Sequence, residues 1–587
     1  MPRGLRWQLW LLVSSLVSPA WGQGEEEWRT PAERAGYEAT PSLDETLAFL
    51  ERLAPRLPEM KLERFGTSAA GRPMTVAIVS KEKAFTPSAA RAAGKPVVLV
   101  VNGIHAGEID GKDACLELLR DLALGRRREL LDAGTLLVVP VYNVDGHERV
   151  SPYNRPNQDG PVRGMGFRTT VDGHDLNRDW LKIETPEARA MISLVREWDP
   201  HLAVDDHVTN GSDHDWTLTW SYPEAPQSPA PIADWIAKAI RSGAAADGAA
   251  GYRTGPYVDL LDGADPAKGF ETAAYGPRFS TGYFALRNRA TLLVETHSHE
   301  PYADRVKANR EFLAGLFAEL ARSGGELVAA TAAADRAAAA SRAPVVVDWE
   351  TAESGDTIRF PVYDWYLEPS IVSGGQVLRF RRGVVREIEA PWRHGSRAAK
   401  SVDRPAGYWV PPGWPRIEER LRAHGVRVEP LAAALEIDAE TTRVVESKLG
   451  DSVYQGLVPM TGTFAKRVER RRLPAGTLWI PAAQPLFDLA ANLLEGEAED
   501  SLFAWGLLGS VVEFKEYIGS PALEDRAKKL LEDPAVKQAW EAALADPAFA
   551  ADRWARYRWW FERTPNWDEE VDLLPVFRAP FLFSAGM

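Results

Sequence analysis

The sequence predicts an α/β fold: a three-layer α/β/α domain with a mainly parallel, mixed sheet, plus a C-terminal accessory region whose β-rich part precedes an α-rich part. Four short runs rich in β-branched residues, typical of buried strands, lie between residues 95 and 299. Helical patterns such as "DACLELLRDLAL" and "PEARAMISLVREW" lie between them and supply the crossovers of a parallel sheet. Beyond residue 340 the pattern changes to short alternating runs with turn residues, and from "PAGYWVPP" onward to helical patterns.

The N-terminus has the pattern of an export signal. "MPRGLR" supplies a short positive region, "WQLWLLVSSLV" an apolar core, and "SPAWGQ" small residues for cleavage before Gln23. The alternative, a membrane anchor, is disfavoured because the apolar run is too short to span a bilayer, and no other segment has a transmembrane pattern. We therefore predict a secreted or periplasmic protein. The predicted division is a signal peptide (1–22), an α/β domain (23–340), a β-rich segment (341–400) and an α-rich (α/β) region of unknown role (401–587).

The composition limits the class of partner. The chain has 587 residues, of which 45% are hydrophobic and 26% charged, and its formal net charge of -14 argues against binding nucleic acid or an anionic membrane surface. The single cysteine, Cys115, excludes an intramolecular disulfide. Because Cys115 lies in an apolar helix pattern, we predict that it belongs to the core rather than acting as a nucleophile. The oligomeric state is not predicted.

Polar side chains follow each of the four predicted strands of the α/β domain. In open α/β sheets, ligands bind beyond the carboxyl ends of the strands, so these side chains predict one shared site. In chain order they are His105 and Glu108, Asn143 and Asp145, Asp206 and His207, and Glu295 followed by His297 and His299.

The distribution of histidine favours a metal at this site. Of the ten histidines, eight lie between His105 and His299. Imidazole together with carboxylate suits zinc, which in catalytic sites takes three protein ligands and leaves one position open. The spacing HxxE occurs twice, at His105 and again in "HSHE", so spacing alone does not select the ligand pair or exclude a second metal at His297, His299 and Glu300. The third ligand remains open among His201, His207 and His214.

Several motifs in a fixed order resemble the zinc carboxypeptidase family, to which carboxypeptidase A belongs. They are "GTSAAGRP", "NGIHAGE", "NVDG", "GFRTTVDGHDLNRDW", "VDDH" and "LLVET", and the resemblance covers roughly residues 35 to 320. It implies one zinc ion per chain, bound by His105, Glu108 and His207. It also implies Glu295 as the general base that takes a proton from water.

The resemblance assigns further residues to the substrate. Asn177 and Arg178 of "DLNRDW" would bind the terminal carboxylate, for which the planar guanidinium is suited. Asp175 would orient a zinc-bound histidine. Arg168 would stabilise the oxyanion of the transition state, with Arg155 as the main alternative and Arg163 as a weaker one.

The tyrosine that closes over the substrate in this family aligns less clearly. "FETAAYGPRFSTGYFALRNR" offers Tyr275, which has about the expected distance to Glu295, and Tyr283, whose pattern favours packing. Residues of a specificity pocket are not recognisable, so no side-chain preference is predicted. "NVDG" differs from the commoner Asn-Pro-Asp-Gly of the family, and we interpret its Asp145 as a structural turn residue.

The sequence thus predicts an exported zinc metallocarboxypeptidase that acts on peptides with a free C-terminus. Three alternatives remain: a zinc-dependent amidase or deacylase acting on N-acyl amino acids or cell-wall peptides, a non-catalytic peptide- or glycan-binding protein, and a structural secreted protein with an incidental metal site. Retention of Glu295 together with three ligands disfavours the binding protein, because binding alone needs no base, whereas the structural protein would bind zinc without turnover.

Overall fold

The computed structural model of the chain describes residues 26–211 and 213–580. The predicted signal peptide, residues 1–22, lies outside the described residues. Within those residues, no helix combines the length and the apolar composition that crossing a bilayer requires.

An eight-stranded mixed sheet forms the centre of residues 26–340. The strands of this part are β1 Met60–Thr67, β2 Pro73–Ser80, β3 Val97–Asn102, β4 Thr135–Val139, β5 Leu202–Val208, β6 Leu218–Ser221, β7 Thr254–Pro256, β8 Asp259–Leu260, β9 Phe270–Glu271 and β10 Ala290–Thr296. The order in the sheet is β1-β2-β4-β3-β5-β10-β6-β7. The four central strands, β4, β3, β5 and β10, are parallel, whereas β2 and β6 run antiparallel to them. The predicted α/β class with a mixed sheet is confirmed.

Helices cover both faces of this sheet. They are α1 Pro31–Arg34, α2 Leu43–Leu53, α3 Pro87–Ala93, α4 Asp110–Ala123, α5 Val144–His147, α6 Pro186–Trp198, α7 Ala230–Ala250, α8 Ser280–Leu286 and α9 Tyr302–Ala340. Residues of α2, α4, α7 and α9 form one buried cluster, and residues of α6 and α8 belong to another. The alanine-rich segment before residue 341 forms the last turns of α9.

Strand β3 shows why the central strands are apolar throughout. Val98 and Val100 belong to the cluster on one face of the sheet, and Leu99 and Val101 to the cluster on the other. Because successive side chains of a strand point to opposite faces, a strand covered on both sides needs apolar residues at every position. Cys115 of α4 is buried in the first of these clusters.

Residues 341–580 contain more strands than helices in their first part and mainly helices in their last. The elements are β11 Val345–Thr351, β12 Asp356–Pro369, β13 Gln376–Arg393, β14 Ser396–Val402, β15 Gly407–Val410, α10 Pro415–Ala423, β16 Glu429–Pro430, β17 Leu435–Leu449, β18 Met460–Leu473, β19 Leu478–Pro481, α11 Phe487–Leu494, α12 Ser520–Leu530, α13 Pro534–Leu544, α14 Pro547–Ala551, α15 Arg553–Phe561 and β20 Phe577–Ala579. Strands β16-β19-β15-β20-β17-β18 form a six-stranded sheet, and β11 pairs with β14. The predicted C-terminal β and helical parts are both present.

The two parts of the chain share structure. Strand β13 pairs with β9, so the β12–β13 hairpin extends a small sheet that begins before residue 340. Tyr408 and Phe487 lie in the same buried cluster as Leu99 and Trp180. In addition, His424 donates from Nε2 to the carbonyl oxygen of Leu181 at 2.8 Å. The C-terminal region therefore packs as an integral part of the fold.

Candidate functional site

A tight turn after β3 brings His105 and Glu108 together. The Glu108 backbone N–H donates to the His105 carbonyl oxygen at 2.8 Å. Gly107, inside this turn, has no room for a side chain, because a Cβ there would lie 2.7 Å from the carbonyl oxygen of Gly166. His207 comes from the neighbouring strand β5, near its carboxyl end. The expected convergence at the strand ends is therefore present.

The ligand atoms of these three residues face one another. His105 Nδ1 lies 3.1 Å from Glu108 Oε1, and His207 Nδ1 lies 2.8 Å from Glu108 Oε2. Among residues 26–211 and 213–580, these are the one group of His, Cys, Asp and Glu whose ligand atoms all lie within 4.8 Å. Tetrahedral zinc with bonds of about 2.0–2.1 Å separates its ligand atoms by about 3.3 Å, close to the spacing seen here.

Two further carboxylates fix the orientation of the imidazoles. His105 Nε2 lies 3.1 Å from Asp175 Oδ1, and His207 Nε2 lies 3.0 Å from Asp205 Oδ2. A neutral imidazole that directs its Nε2–H to the outer carboxylate presents the lone pair of Nδ1 to a metal ion. Such outer carboxylates are typical of metal-binding histidines. Two imidazole nitrogens and one carboxylate oxygen that converge in this way make a set that fits a divalent cation.

Asp205 was not among the predicted site residues, although the sequence contains a signal for it. Alternate residues of a strand share a face, so Asp205 lies on the face of β5 that carries His207, while Asp206 lies on the other. Asp206 Oδ1 accepts from Asn309 of α9 at 3.1 Å, away from the metal-binding group. The period of two could have selected Asp205 from "VDDH".

Arg155 contacts the carboxylate at the centre of the group. Its Nη2 lies 2.6 Å from Glu108 Oε1, and both side chains are nearly buried. Burial alone would raise the pKa of Glu108, but the charges of Arg155 and His105 hold it well below its ordinary value. Glu108 is therefore ionised, as a metal ligand must be.

Glu295 lies beside this group without a partner for one oxygen. It is directly opposite His207 in the parallel pairing of β10 with β5. The side chain is buried, and within the described residues its Oε2 has no hydrogen-bond partner. Burial raises the pKa of the Glu295 carboxyl above its ordinary value, and the neighbouring charge of Glu108 adds to this rise. A buried carboxylate with a raised pKa and a free oxygen can accept and return a proton.

Asp175 organises the segment that follows it. It caps the 3-10 helix Leu176–Arg178 by accepting from the Asn177 N–H at 2.9 Å. Its other oxygen accepts from Arg168 Nη2 at 2.7 Å and Nε at 3.1 Å. Although burial acts in the opposite direction, the charges of His105 and Arg168 hold the pKa of Asp175 far below its ordinary value. Asp175 thus connects the candidate metal ligand His105 to Arg168 and to the segment that begins at Asn177.

Asn177 and Arg178 are held by their own contacts. The Asn177 carbonyl oxygen Oδ1 accepts from the Ser280 backbone N–H at 3.1 Å. Arg178 Nη1 donates to the Asn177 backbone oxygen at 2.8 Å, and its guanidinium carbon lies 4.2 Å from the centre of the Phe279 ring. Within residues 26–211 and 213–580, Nη2 of Arg178 donates no hydrogen bond, which leaves this nitrogen available to a ligand.

A cleft of about 160 Å³ joins these groups. Of the residues predicted for the site, those that line it are His105, Glu108, Arg168, Asn177, Arg178, His207, Tyr275 and Glu295. Asp175 contributes from behind this surface through its hydrogen bonds. Of the two candidate tyrosines, Tyr275 borders the cleft, whereas Tyr283 is fully buried with its hydroxyl 3.1 Å from His424 Nδ1.

The other candidates of the sequence lie outside the cleft. His201 Nδ1 accepts from the Val97 backbone N–H at 3.1 Å. The ring nitrogens of His297 lie 3.4 Å (Nε2) from the His214 backbone nitrogen and 3.1 Å (Nδ1) from that of His299. Together with Glu300, these side chains form no second group of metal ligands in the described part of the chain.

Two other predicted residues have structural contacts. Arg163 forms an exposed ion pair with Glu38. Asp145 accepts from the Ser68 hydroxyl at 2.8 Å and from Arg72 at 2.7 Å. Both contacts of Asp145 reach the "GTSAAGRP" turn, so its role is that of a turn-stabilising carboxylate.

Comparison with known proteins agrees with this geometry. The family model "Zinc carboxypeptidase" matches residues 46–225, which include all three candidate ligands but end before Tyr275 and Glu295. Carboxypeptidase 2 of Trichophyton equinum is 24% identical over 490 residues, covering 80% of this chain and 84% of that protein. Carboxypeptidase D of Homo sapiens is 30% identical over 146 residues, covering 22% of this chain and 10% of that protein.

Solved structures include similar chains. The metallo-carboxypeptidase from Burkholderia cenocepacia has a TM-score of 0.35 and 17% identity over 48% of this chain and 69% of that chain. The matches in sequence, together with the three-ligand group, identify the protein's class. Residues 46–225 of the chain match the zinc carboxypeptidase family, and the protein is a zinc metallocarboxypeptidase, a hydrolase that acts on peptide bonds.

Proposed function

We propose that this protein is exported and removes the C-terminal residue of peptides, with Glu295 as its general base. One observation carries the proposal: a single cleft joins the buried, unpartnered Glu295 carboxylate to the three candidate ligands and to the Asn177–Arg178 pair. A base, a metal-binding group and a receptor for a terminal carboxylate are the three parts that such a reaction needs.

His105, Glu108 and His207 would hold one zinc ion. Bound zinc supplies a Lewis acid that polarises a carbonyl oxygen and lowers the pKa of water to about 7. Asp175 and Asp205 keep both imidazoles in the tautomer that presents Nδ1, and Arg155 keeps Glu108 ionised. The chain thus prepares each donor before the ion arrives.

Glu295 would move the proton. Its Oε2 would accept a proton from the attacking water and then donate it to the nitrogen of the departing amine. A carboxyl with an ordinary pKa is a poor acid near neutral pH, whereas the raised pKa of Glu295 suits both halves of this transfer. Its position opposite His207, one strand away from the metal-binding group, keeps the transfer short.

Asn177 and Arg178 would bind the substrate's terminal carboxylate. A guanidinium donates parallel hydrogen bonds to a carboxylate, and the amide of Asn177 adds another donor. The Arg178 side chain is 21% exposed and its guanidinium packs on Phe279, so little side-chain freedom is lost when a ligand binds. This receptor gives the enzyme its requirement for a chain end.

Arg168 would stabilise the negative charge on the carbonyl oxygen during attack. It lines the cleft and uses Nε and Nη2 for Asp175, which leaves Nη1 for the oxyanion. Arg155 is less suited, because its guanidinium is engaged with Glu108 and with Gln158. Tyr275, at the border of the cleft, would cover the bound C-terminal residue.

Export rests on the N-terminal pattern of residues 1–22, and we propose secretion or periplasmic location on that basis. We also retain the division of the mature chain at residues 340 and 400 as a proposal.

An amidase or deacylase acting on small N-acyl amino acids would use the same zinc, base and carboxylate receptor, and it is the second candidate because Asn177 and Arg178 suit any substrate with a free carboxylate.

The test uses mature protein beginning at Gln23, loaded with zinc, against blocked dipeptides that differ only in a free or amidated C-terminus. We expect turnover of the free acids alone, its loss with a chelator, and a fall in kcat of about 10²- to 10⁴-fold in Glu295→Gln. Glu300→Gln is the matched control, since this carboxylate lies nearby but outside the cleft. Equal cleavage of both peptide forms would refute the carboxypeptidase assignment, and cleavage of N-acyl amino acids alone would establish the deacylase.

A further inference from the structure

A loop of the C-terminal region reaches the segment that carries the candidate carboxylate receptor. This 450–459 loop connects β17 to β18. The Asp175 backbone N–H donates to Gln455 Oε1 at 2.8 Å. Arg178 Nε donates to the Tyr454 hydroxyl at 3.1 Å. Both contacts span about 280 residues of sequence, and their C-terminal partners, Tyr454 and Gln455, lie beyond the region that the family model matches.

The tip of the loop has a defined conformation. Tyr454 and Leu457 exchange backbone hydrogen bonds of 2.8 and 3.1 Å, which closes a two-residue turn. Both central residues, Gln455 at φ 52° and Gly456 at φ 74°, are left-handed, as in a type I′ turn. Gly456 packs on His174, because a Cβ there would lie 2.7 Å from His174 Nε2. The turn therefore fits against the residue that precedes Asp175.

The Tyr454 ring is itself supported from below. It stacks on Trp505 with a centroid distance of 5.8 Å and an interplanar angle of 7°. Trp505 is buried, and the guanidinium carbon of Arg278 lies 5.2 Å from its ring centre. Because stacking on a buried ring already restricts the Tyr454 side chain, little more entropy is lost when its hydroxyl accepts the hydrogen bond from Arg178.

Arg278 adds a second connection on the same side of the cleft. Its Nε donates to Asp500 Oδ1 at 2.7 Å, and its backbone N–H donates to Asp500 Oδ2 at 3.0 Å. Arg278 lies three residues after Tyr275, so the C-terminal region also ties down the loop that carries the cleft tyrosine. Residues after 450 therefore contact two sides of the cleft, the segment that carries Arg178 and the loop that carries Tyr275.

We propose that Tyr454 and Gln455 are positioning residues for recognition of the substrate's terminal carboxylate. Tyr454 holds Nε of Arg178, while the Asn177 backbone oxygen holds Nη1, so that Nη2 remains directed to the ligand. Gln455 fixes the start of the same segment through the Asp175 backbone. The C-terminal region is then part of the specificity machinery. This inference rests on the proposed role of Arg178.

The test measures binding separately from turnover. In the zinc-loaded Glu295→Gln protein, dissociation constants are measured by calorimetry for one blocked dipeptide as free acid and as amide. Tyr454→Phe keeps the stacked ring and loses the hydroxyl, and Gln455→Met keeps the length and loses the acceptor. We expect Tyr454→Phe, which removes a hydrogen bond from a charged group, to weaken binding of the free acid by about tenfold to a hundredfold, and Gln455→Met, which removes a neutral hydrogen bond, by about twofold to tenfold. Binding of the amide should stay the same.

A matched control removes a comparable hydroxyl far from the cleft. Tyr557→Phe loses a 2.7 Å hydrogen bond to the Ile518 carbonyl oxygen among the C-terminal helices. It should leave the acid-to-amide ratio unchanged. If Tyr454→Phe and Gln455→Met also leave this ratio at the parent value, their role is structural and the inference is wrong. If the parent protein itself binds acid and amide equally, Arg178 is not the receptor, and the proposed function fails together with this inference.

Discussion

Asp205 offers a direct test of how the chain prepares its metal site. Asp205 Oδ2 lies 3.0 Å from His207 Nε2 and accepts from the Ser280 hydroxyl at 2.6 Å. In Asp205→Asn, an amide of nearly the same shape replaces the carboxylate. The amide oxygen can still accept a hydrogen bond, but the negative charge that polarises the His207 imidazole is lost.

The size of the effect follows from this single contact. Hydrogen bonds to charged groups contribute about 1.5–3 kcal/mol, and replacing one by a neutral bond removes part of that. Outer carboxylates of metal-bound histidines affect metal affinity by about tenfold to a hundredfold. We therefore expect the dissociation constant for zinc to rise by about tenfold to a hundredfold in Asp205→Asn.

Asp206→Asn is the matched control in the next position of the same strand. Asp206 is equally buried but binds Asn309 on the opposite face of the sheet. Zinc affinity is measured by competition with a chelator of known affinity at pH 7.5, and thermal unfolding of the metal-free proteins is measured in parallel. Equal zinc affinity in the two variants would refute the reasoning, because it would mean that the charge behind His207 has no influence on the metal.

Three further predictions concern other residues. Arg168→Lys should lower kcat by about 10²- to 10³-fold with little change in KM, because the loss is confined to the transition state. Steady-state kinetics on a free-acid dipeptide test this, and a large rise in KM together with the fall in kcat would contradict it. Burial raises the pKa of Asp247 to about 8, and within the described part of the chain neither of its carboxylate oxygens has a hydrogen-bond partner, so the folded state keeps a proton that the unfolded chain releases above about pH 4. Stability should therefore fall as pH rises from 4 to 8, and Asp247→Asn should raise the free energy of unfolding by about 1–3 kcal/mol at pH 8 and by almost nothing at pH 4; an equal gain at both values would contradict this. Burial lowers the pKa of His424 to about 3, so stability should be lost as pH falls from about 6.5 toward 3. In urea unfolding series between pH 6 and pH 4, His424→Gln should reduce the slope of the unfolding free energy against pH by up to one proton, and an unchanged slope would count against this prediction.

The central site could be predicted from sequence because its residues lie at the ends of apolar runs. In parallel strands such ends meet at one edge, and ordered motifs then select His105 and His207 from ten histidines, together with Glu108. The roles assigned to Arg168 and Glu295 remain predictions, although both residues lie in the cleft.

Contacts between distant segments could not be predicted in the same way. Tyr454 and Gln455 lie in a turn whose sequence, "DSVYQGLVP", has no apolar period and resembles any surface loop. Their importance comes from which segment the turn meets, and a single sequence contains no record of that pairing. The same holds for β13, whose alternation predicts a strand but not its partner β9.

The shared core has a consequence for how this chain is made. Tyr408 and Phe487 complete the cluster around Trp180, so the α/β part cannot close its core until the last third of the chain has left the ribosome. A nascent chain of this kind stays unfolded for longer than one whose first domain folds alone. We propose that this protein is exported across a membrane through a narrow channel. Delayed folding keeps the polypeptide unfolded, and so able to pass through such a channel, until its synthesis is complete.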